Sequence, residues 1–144
     1  MRAGADRPEI GSRCVANSLS VEISPGELID KITILDIKRQ RITDAAKLAN
    51  VEREWTALTA ARDGAVKSSG ELDRLTAELK RVNERLWQIE DDIRDCERRK
   101  DFGRKFVELA RSVYKNNDRR AELKREINVL LGSRLSEEKS YAAY

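Results

Sequence analysis

Eight apolar side chains in the middle of the chain repeat at the spacing of a coiled coil. Gaps of three and four residues alternate strictly through Leu72, Leu75, Leu79, Val82, Leu86, Ile89, Ile93 and Cys96. A period of 3.5 residues keeps one stripe of a helix facing a partner helix along its whole length. The pattern therefore predicts a long helix over about residues 70–100 that packs lengthwise against another helix.

Helix signals on both sides of this segment predict an all-α protein with coiled-coil-like long helices. A capping serine, a proline at the first helical position and a glutamate three residues after the serine occur in Ser24-Pro25-Gly26-Glu27, which opens a helix over 25–42. Further apolar patterns predict a second helix over 45–63 and, after a short turn, a fourth helix over 103–132. Because the third and fourth helices have similar lengths and a short link, we expect an antiparallel hairpin or bundle.

The two ends of the chain lack such patterns. Residues 1–18 show no periodicity and predict a disordered leader. Leu19, Val21 and Ile23 alternate with polar residues, which indicates a short extended segment. Residues 133–144 form a tail that either docks on the helices or is disordered. We therefore expect a single helical domain over 19–144.

Composition suggests thin seams between exposed helices. Charged residues make up 38% of the 144 residues and aromatic residues 5%, a mix typical of long helices. Such seams bury little apolar area per residue, so we expect a homo-oligomer, with a dimer favoured, or pairing with another helical protein. No apolar run is long enough for a membrane span, and no signal peptide is evident, so the expected location is the cytoplasm.

The sequence favours a binding or scaffold role over catalysis. Histidine is absent, which removes the commonest general base and metal ligand. There is no glycine-rich phosphate loop, no metal-ligand spacing and no nucleophile elbow. No catalytic residue, metal or cofactor is therefore predicted, although helical enzymes that use other side chains can lack all of these motifs.

A polar stripe lies beside the seam of the third helix. It consists of Asn83, Trp87, Glu90 and Arg94, spaced by four, three and four residues, so that all four share one face. An anionic or sugar-like ligand could bind where this face meets the fourth and first helices; the alternative is a solvated face with ordinary ion pairs. The complete candidate cluster is Glu27, Asp30, Lys31, Asn83, Trp87, Glu90, Arg94, Arg111, Tyr114, Asn117, Asp118 and Lys124.

The fourth helix carries a polar interruption and a basic start. Asn116 or Asn117, and Arg120, occupy positions where its seam should be apolar, either to fix the register or to line a ligand site. From Arg94 to Arg125 there are twelve basic residues against six acidic ones. A basic tip could meet nucleic acid or an acidic surface, but no nucleic-acid motif accompanies it, so a solvated tip is favoured. Its members are Arg98, Arg99, Lys100, Arg104 and Lys105.

Several motifs resemble a bacterial family of small helical proteins that carries only a domain-of-unknown-function label. They are Val21-Glu-Ile-Ser-Pro-Gly-Glu-Leu-Ile-Asp-Lys-Ile-Thr-Ile-Leu, Leu109-Ala-Arg-Ser-Val-Tyr and Glu137-Glu-Lys-Ser-Tyr, and with shorter matches the resemblance covers nearly everything after residue 19. It implies no activity, and at most a sugar-nucleotide pathway as a source of partners. Glu27-Leu-Ile-Asp-Lys-Ile with Arg41 also resembles the first helix of helical chorismate mutases, but the later basic pattern departs from that family.

Three functions follow as hypotheses. The first is a self-associating helical interaction or scaffold protein. The second is a protein or enzyme that binds a small anionic ligand, such as a nucleotide or sugar nucleotide, between the long helices. The third is a binder of nucleic acid or an acidic surface through the basic tip, with nucleic acid the less expected partner.

Overall fold

A computed structural model describes residues 18–144, and nearly all of the predicted leader, residues 1–17, lies outside the described part. Four helices follow: α1 (Pro25–Arg41), α2 (Ala45–Ala65), α3 (Gly70–Arg99) and α4 (Arg104–Leu130). The all-α prediction is confirmed, and every predicted helix end lies within two residues of the observed one. Among residues 18–144 there is no strand: the segment before α1 pairs with no other strand, and Leu19 and Val21 are largely exposed.

Three helices, α1, α2 and α3, are capped at their N-termini by a short side chain. The hydroxyl or carboxylate oxygens of Ser24, Asp44 and Ser69 accept hydrogen bonds from the backbone of the following first turns at 3.2, 2.9 and 3.1 Å. These bonds satisfy amide groups that have no partner inside the helix. Asp44 thereby separates α2 from α1, as the sequence predicts. The C-terminal end of α3 is capped by Lys100, which adopts a left-handed backbone conformation with φ of 56°.

The core lies where α1 packs on the α3–α4 hairpin. The side chains of Leu72, Leu75, Leu79 and Val82 are at most 5% exposed, as the heptad pattern predicts. Three apolar side chains from the other two helices complete the cluster: Ile29 of α1 and Leu123 and Ile127 of α4. The amide of Gly26 lies at Asn128 and the carboxylate of Asp30 lies at Arg120, so α1 runs antiparallel to α4.

Helix α2 is attached to the outer side of α1. It makes no comparable contact with α3 or α4 within the described residues. Trp55 of α2 donates its indole N–H to Asp36 of α1 at 2.7 Å, and the guanidinium of Arg39 lies 3.8 Å from the Trp55 ring centre. Within residues 18–144, no helix is both long enough and apolar enough to cross a membrane.

The hairpin has two unlike halves. In the proximal half, α3 over 72–83 and α4 over 119–130 pack together with α1. We call α3 over 86–99 with α4 over 104–112 the distal arm. There Leu86, Ile89, Ile93, Phe106 and Leu109 occupy the seam but remain partly exposed, whereas Cys96 is fully buried.

Candidate functional site

A buried carboxylate joins α1 to both helices of the hairpin. Asp30 is 1% exposed. Its Oδ1 accepts hydrogen bonds from Asn83 Nδ2 and Arg120 Nε, each at 2.9 Å, and its Oδ2 accepts a second bond from the same guanidinium. The bond to Asp30 raises the pKa of Arg120, against the opposing effect of burial. A charge this deeply buried requires such partners, and Asp30 receives them from α3 and α4 together.

Thr33 completes the arrangement around Asp30. Its hydroxyl donates to the Asp30 backbone carbonyl at 2.8 Å and accepts from Asn83 Nδ2 at 2.9 Å. The amide group of Asn83 therefore spans two successive turns of α1. A sliding movement of α1 along α3 by one turn would break both bonds that Asn83 makes to α1, which is the behaviour of a register-fixing layer.

A second ionic group lies one helical turn away on α4. The ammonium of Lys124, whose side chain is 9% exposed, lies 2.7 Å from Glu27 Oε2 and 2.6 Å from Glu137 Oε2. Burial lowers the pKa of Lys124, but the bonds to Glu137 and Glu27 outweigh it and the pKa is raised overall. The bond between Lys124 and Glu137 holds the pKa of Glu137 below its usual value. Lys124 therefore joins α1, α4 and the tail.

Close backbone contact positions this end of α1. The amide of Gly26 donates to Asn128 Oδ1 at 2.7 Å. A Cβ at Gly26 would collide with the backbone carbonyl oxygen of Lys124 and with the Asn128 side chain. Glycine is therefore needed here because α1 and α4 approach backbone to backbone.

We call the tail, residues 133–144, the C-terminal strap, because it turns back along α4. After the Glu137 contact, Lys139 Nζ approaches the backbone carbonyl of Asn117 at 3.5 Å, and the hydroxyl of Tyr144 donates to Asp118 at 2.8 Å. The Tyr144 ring meets the ring of Tyr114 edge-on, with centres 5.0 Å apart. The strap thus docks on the helices, one of the two alternatives that the sequence leaves open.

Two open cavities border the strap. The smaller, about 250 Å³, has an almost wholly polar lining of Glu27, Asn117, Arg120, Ala121, Lys124, Glu137 and Lys139. The larger, about 780 Å³, lies between the strap and the middle of α4. In the smaller cavity, Arg120 and Lys124 are already bonded to carboxylates. Within residues 18–144, every buried side-chain nitrogen or oxygen has a hydrogen-bond partner, and no group of three acidic or cysteine side chains is arranged to hold a metal.

A family model described as a family of unknown function (DUF6165) matches residues 19–144. The chain belongs to this family. No curated protein and no solved structure matches it. The family match includes all four helices, the strap, and the side chains around Asp30 and Lys124, which we call the buried network. The match brings no activity with it.

The twelve residues of the predicted cluster lie in three separate places in this family member. The buried network brings together Glu27, Asp30, Asn83 and Lys124. The strap lies against Tyr114, Asn117 and Asp118. Trp87 is partly buried, and the surface carries Lys31, Glu90, Arg94 and Arg111, among which Glu90 and Arg94 form an exposed ion pair.

The five residues of the predicted basic tip lie together at the end of the distal arm, and all are exposed. Four of them are paired with acidic residues of their own helix or helix end. Arg98 and Arg99 share Asp95, for example. Such pairs are each worth about 0–1 kcal/mol, and they reduce the positive potential that a nucleic acid would meet.

Sequence reasoning left four network residues out of the cluster: Thr33, Arg120, Asn128 and Glu137. Arg120 was recognised only as a polar interruption. A clearer signal was available, because Arg120, Lys124 and Asn128 follow one another at intervals of four residues and form a polar stripe beside Leu123 and Ile127. No comparable pattern indicates Glu137, which lies outside any helix.

Proposed function

We propose that this protein is a helical interaction module that forms a homodimer through the distal arm. One observation carries the proposal: the apolar repeat of α3 continues without a slip beyond Val82, but three of its four later members are only partly buried. In the proximal half, the repeat is sealed by α1. In the distal arm, Leu86, Ile89 and Ile93 of the same repeat stay partly exposed, and Cys96 near the tip is fully buried.

The polar stripe of α3 supports this reading because its residues become more exposed along the helix. Asn83 is 5% exposed and bonded to α1. Trp87 is partly buried, while Glu90 and Arg94 are exposed. Because the four residues share one face, the face of α3 that bonds to α1 at Asn83 becomes more exposed along the arm.

Apolar side chains on α4 and at the turn extend this uncovered surface. Val107 is 51% exposed and Phe102 is 50% exposed. The rings of Phe102 and Phe106 contact each other edge-on at 5.3 Å, so the tip carries an aromatic pair. A cluster of partly exposed apolar side chains with a charged border is typical of a protein-binding surface.

Charge complementarity favours a second copy of this chain as the occupant. In the arm, α3 carries five acidic and three basic residues over 86–99, a net charge of −2. The facing helix α4 carries three basic residues and one acidic residue over 104–112, a net charge of +2. A two-fold axis across the arm brings each acidic α3 beside the basic α4 of the other copy. The result is a four-helix bundle made from two arms.

Sedimentation equilibrium over a range of concentrations tests the proposal. The variant Lys105→Glu/Arg111→Glu reverses charge on α4, and Asp91→Lys/Asp92→Lys reverses it on α3. Each variant alone should weaken dimerisation about tenfold or more because like charges then face each other. An equimolar mixture should restore association, since the two variants are complementary.

A control variant separates a local effect from a general change of charge. Lys47→Glu/Arg53→Glu makes the same change on the exposed side of α2 and should leave the dimer unchanged. A wild-type protein that stays monomeric at the highest concentration, or a mixture that fails to associate, would overturn the proposal.

The other two functions suggested by the sequence have less support. An anion in the smaller cavity would have to displace carboxylates from Arg120 and Lys124. A nucleic acid at the tip would meet basic residues that are mostly paired already. Neither surface offers a charge that is both buried and without a partner.

A further inference from the structure

We infer that the larger cavity, between the C-terminal strap and α4, binds a neutral oligosaccharide. This inference concerns a different surface from the distal arm and does not depend on dimerisation. Its basis is the combination of accessible tyrosine rings, balanced charge and a rim of both hydrogen-bond donors and acceptors.

The cavity has the size of a small-molecule site. Its volume is about 780 Å³, within the range of about 300–1,000 Å³ that is usual for such sites. One wall is the middle of α4, with Val113, Tyr114 and Asn117. The opposite wall is the end of the strap, from Tyr141 to Tyr144. The strap is fixed at both ends, by Glu137 on Lys124 and by Tyr144 on Asp118.

Three tyrosines supply accessible aromatic surface. Tyr114 is 40% exposed, Tyr141 is 82% exposed and Tyr144 is 77% exposed. A tyrosine ring presents an apolar face together with a polar hydroxyl. This is the combination that a sugar ring requires, because a pyranose has a flat face of C–H groups and a rim of hydroxyls.

The charges in the lining favour a neutral ligand. The two charged side chains in the lining are those of Asp118 and Lys139, and their formal charges cancel. An anion entering the cavity would meet the Asp118 carboxylate, and a cation would meet the Lys139 ammonium. A ligand with hydroxyl groups can donate hydrogen bonds to the Asp118 carboxylate and accept them from the Lys139 ammonium. The side-chain amide of Asn117 can both donate to and accept from such a ligand.

The arrangement of the tyrosine rings determines where a ligand ring can stack. A base stacks best between rings that are nearly parallel, whereas the planes of Tyr114 and Tyr144 are inclined at 63°. Tyr114 and Tyr144 already contact each other, with ring centres 5.0 Å apart, so a sugar ring packs on the accessible outer side of this pair and on Tyr141. The observations therefore favour a saccharide, and a nucleoside becomes an outcome of the test.

Isothermal titration calorimetry on the full chain tests this inference with three probes at millimolar concentration: maltotriose, cellotriose and N,N′,N″-triacetylchitotriose. At least one should bind. Tyr114→Ala and Tyr141→Ala should each weaken that binding about tenfold, since each removes one stacking ring. Phe102→Ala, which removes a half-exposed aromatic ring outside the cavity, should bind as the wild type does. Circular dichroism should show unchanged helix content in all three variants.

Several results would overturn the inference. The first is no heat of binding with any of the three trisaccharides. The second is binding of adenosine, used as the comparison probe, without binding of a saccharide. The third is an equal loss in Phe102→Ala, which would place the saccharide elsewhere. The Lys105→Glu/Arg111→Glu variant should keep saccharide binding, so failure of the dimer and failure of the cavity are distinguishable.

Discussion

The two halves of the α3–α4 hairpin have the same apolar repeat and different environments. In the proximal half, Leu79 is fully buried because α1 closes the seam. In the distal arm, Leu86 and Ile93 have the same heptad spacing but remain partly exposed. The heptad therefore specifies that two helices pair, while burial of the seam depends on a third element.

The largest expected effect comes from breaking an acid–arginine pair in the proximal half. Asp30→Ala leaves the partly buried guanidinium of Arg120 without its carboxylate and should lower the free energy of unfolding by about 3–5 kcal/mol. Glu90→Ala removes the carboxylate partner of Arg94 in the distal arm, where both side chains are exposed, and should cost less than about 1 kcal/mol. Urea denaturation of both variants measures the difference.

A result in which the two substitutions cost the same would contradict the contrast between the halves. Asp30→Asn provides a finer control. It keeps the shape of the side chain but removes its charge, so its cost should fall between those of the wild type and Asp30→Ala.

Truncation of seam leucines tests the same contrast in the apolar layer. Leu79→Ala should cost about 2–5 kcal/mol at every protein concentration, because Leu79 is fully buried within one chain. Leu109→Ala should cost less than Leu79→Ala in a dilute monomer, since Leu109 is only partly buried. If the arms pair, its cost should rise with protein concentration. Thermal unfolding at several concentrations measures both, and a concentration-independent cost for Leu109→Ala would speak against pairing of the arms.

The helices could be predicted from sequence because their signals are local. The 3.5-residue repeat of α3 and the proline and capping serine at the start of α1 depend on residues close together in the chain. The alternating residues Leu19, Val21 and Ile23 also looked like a local signal for an extended segment. No neighbouring strand pairs with them in the described residues, and an isolated strand has no hydrogen-bond partner to stabilise it.

The candidate site could be predicted only in part because its contacts are remote in sequence. Asp30 and Arg120 are 90 residues apart, and pairing them required the position of α1 on the hairpin. The residues from Asn83 to Arg94 share one face of α3, but of these four only Asn83, at the beginning, is buried and bonded to α1. The spacing of residues on one helix cannot show where a different helix ends.

The contact between Glu137 of the strap and Lys124 of the proximal half should depend on pH. Because Lys124 holds the pKa of Glu137 below its usual value of 4.5, this contact stabilises the docked strap above that pH. The stabilisation is lost as the pH falls through the lowered pKa, so the strap should loosen below about pH 4.5. The effect should be about 0–1 kcal/mol, since Glu137 is half exposed. Amide NMR shifts of residues 137–144 measure it, and Glu137→Gln should remove the transition.

An effect of similarly small size is expected at two helix ends that lie at opposite ends of the hairpin. Lys100 ends α3 at the distal tip with φ of 56°, and Gly132 follows α4 at the proximal end with φ of 66°. Glycine adopts this conformation without strain, while other residues pay about 1–2 kcal/mol. Lys100→Gly should therefore raise the free energy of unfolding by about 0.5–1 kcal/mol after the greater entropy of unfolded glycine is subtracted. Gly132→Ala should lower it by a similar amount. Urea denaturation tests both signs. A loss of stability in Lys100→Gly would mean that the exposed Lys100–Glu97 ion pair contributes more to the tip than its backbone conformation costs.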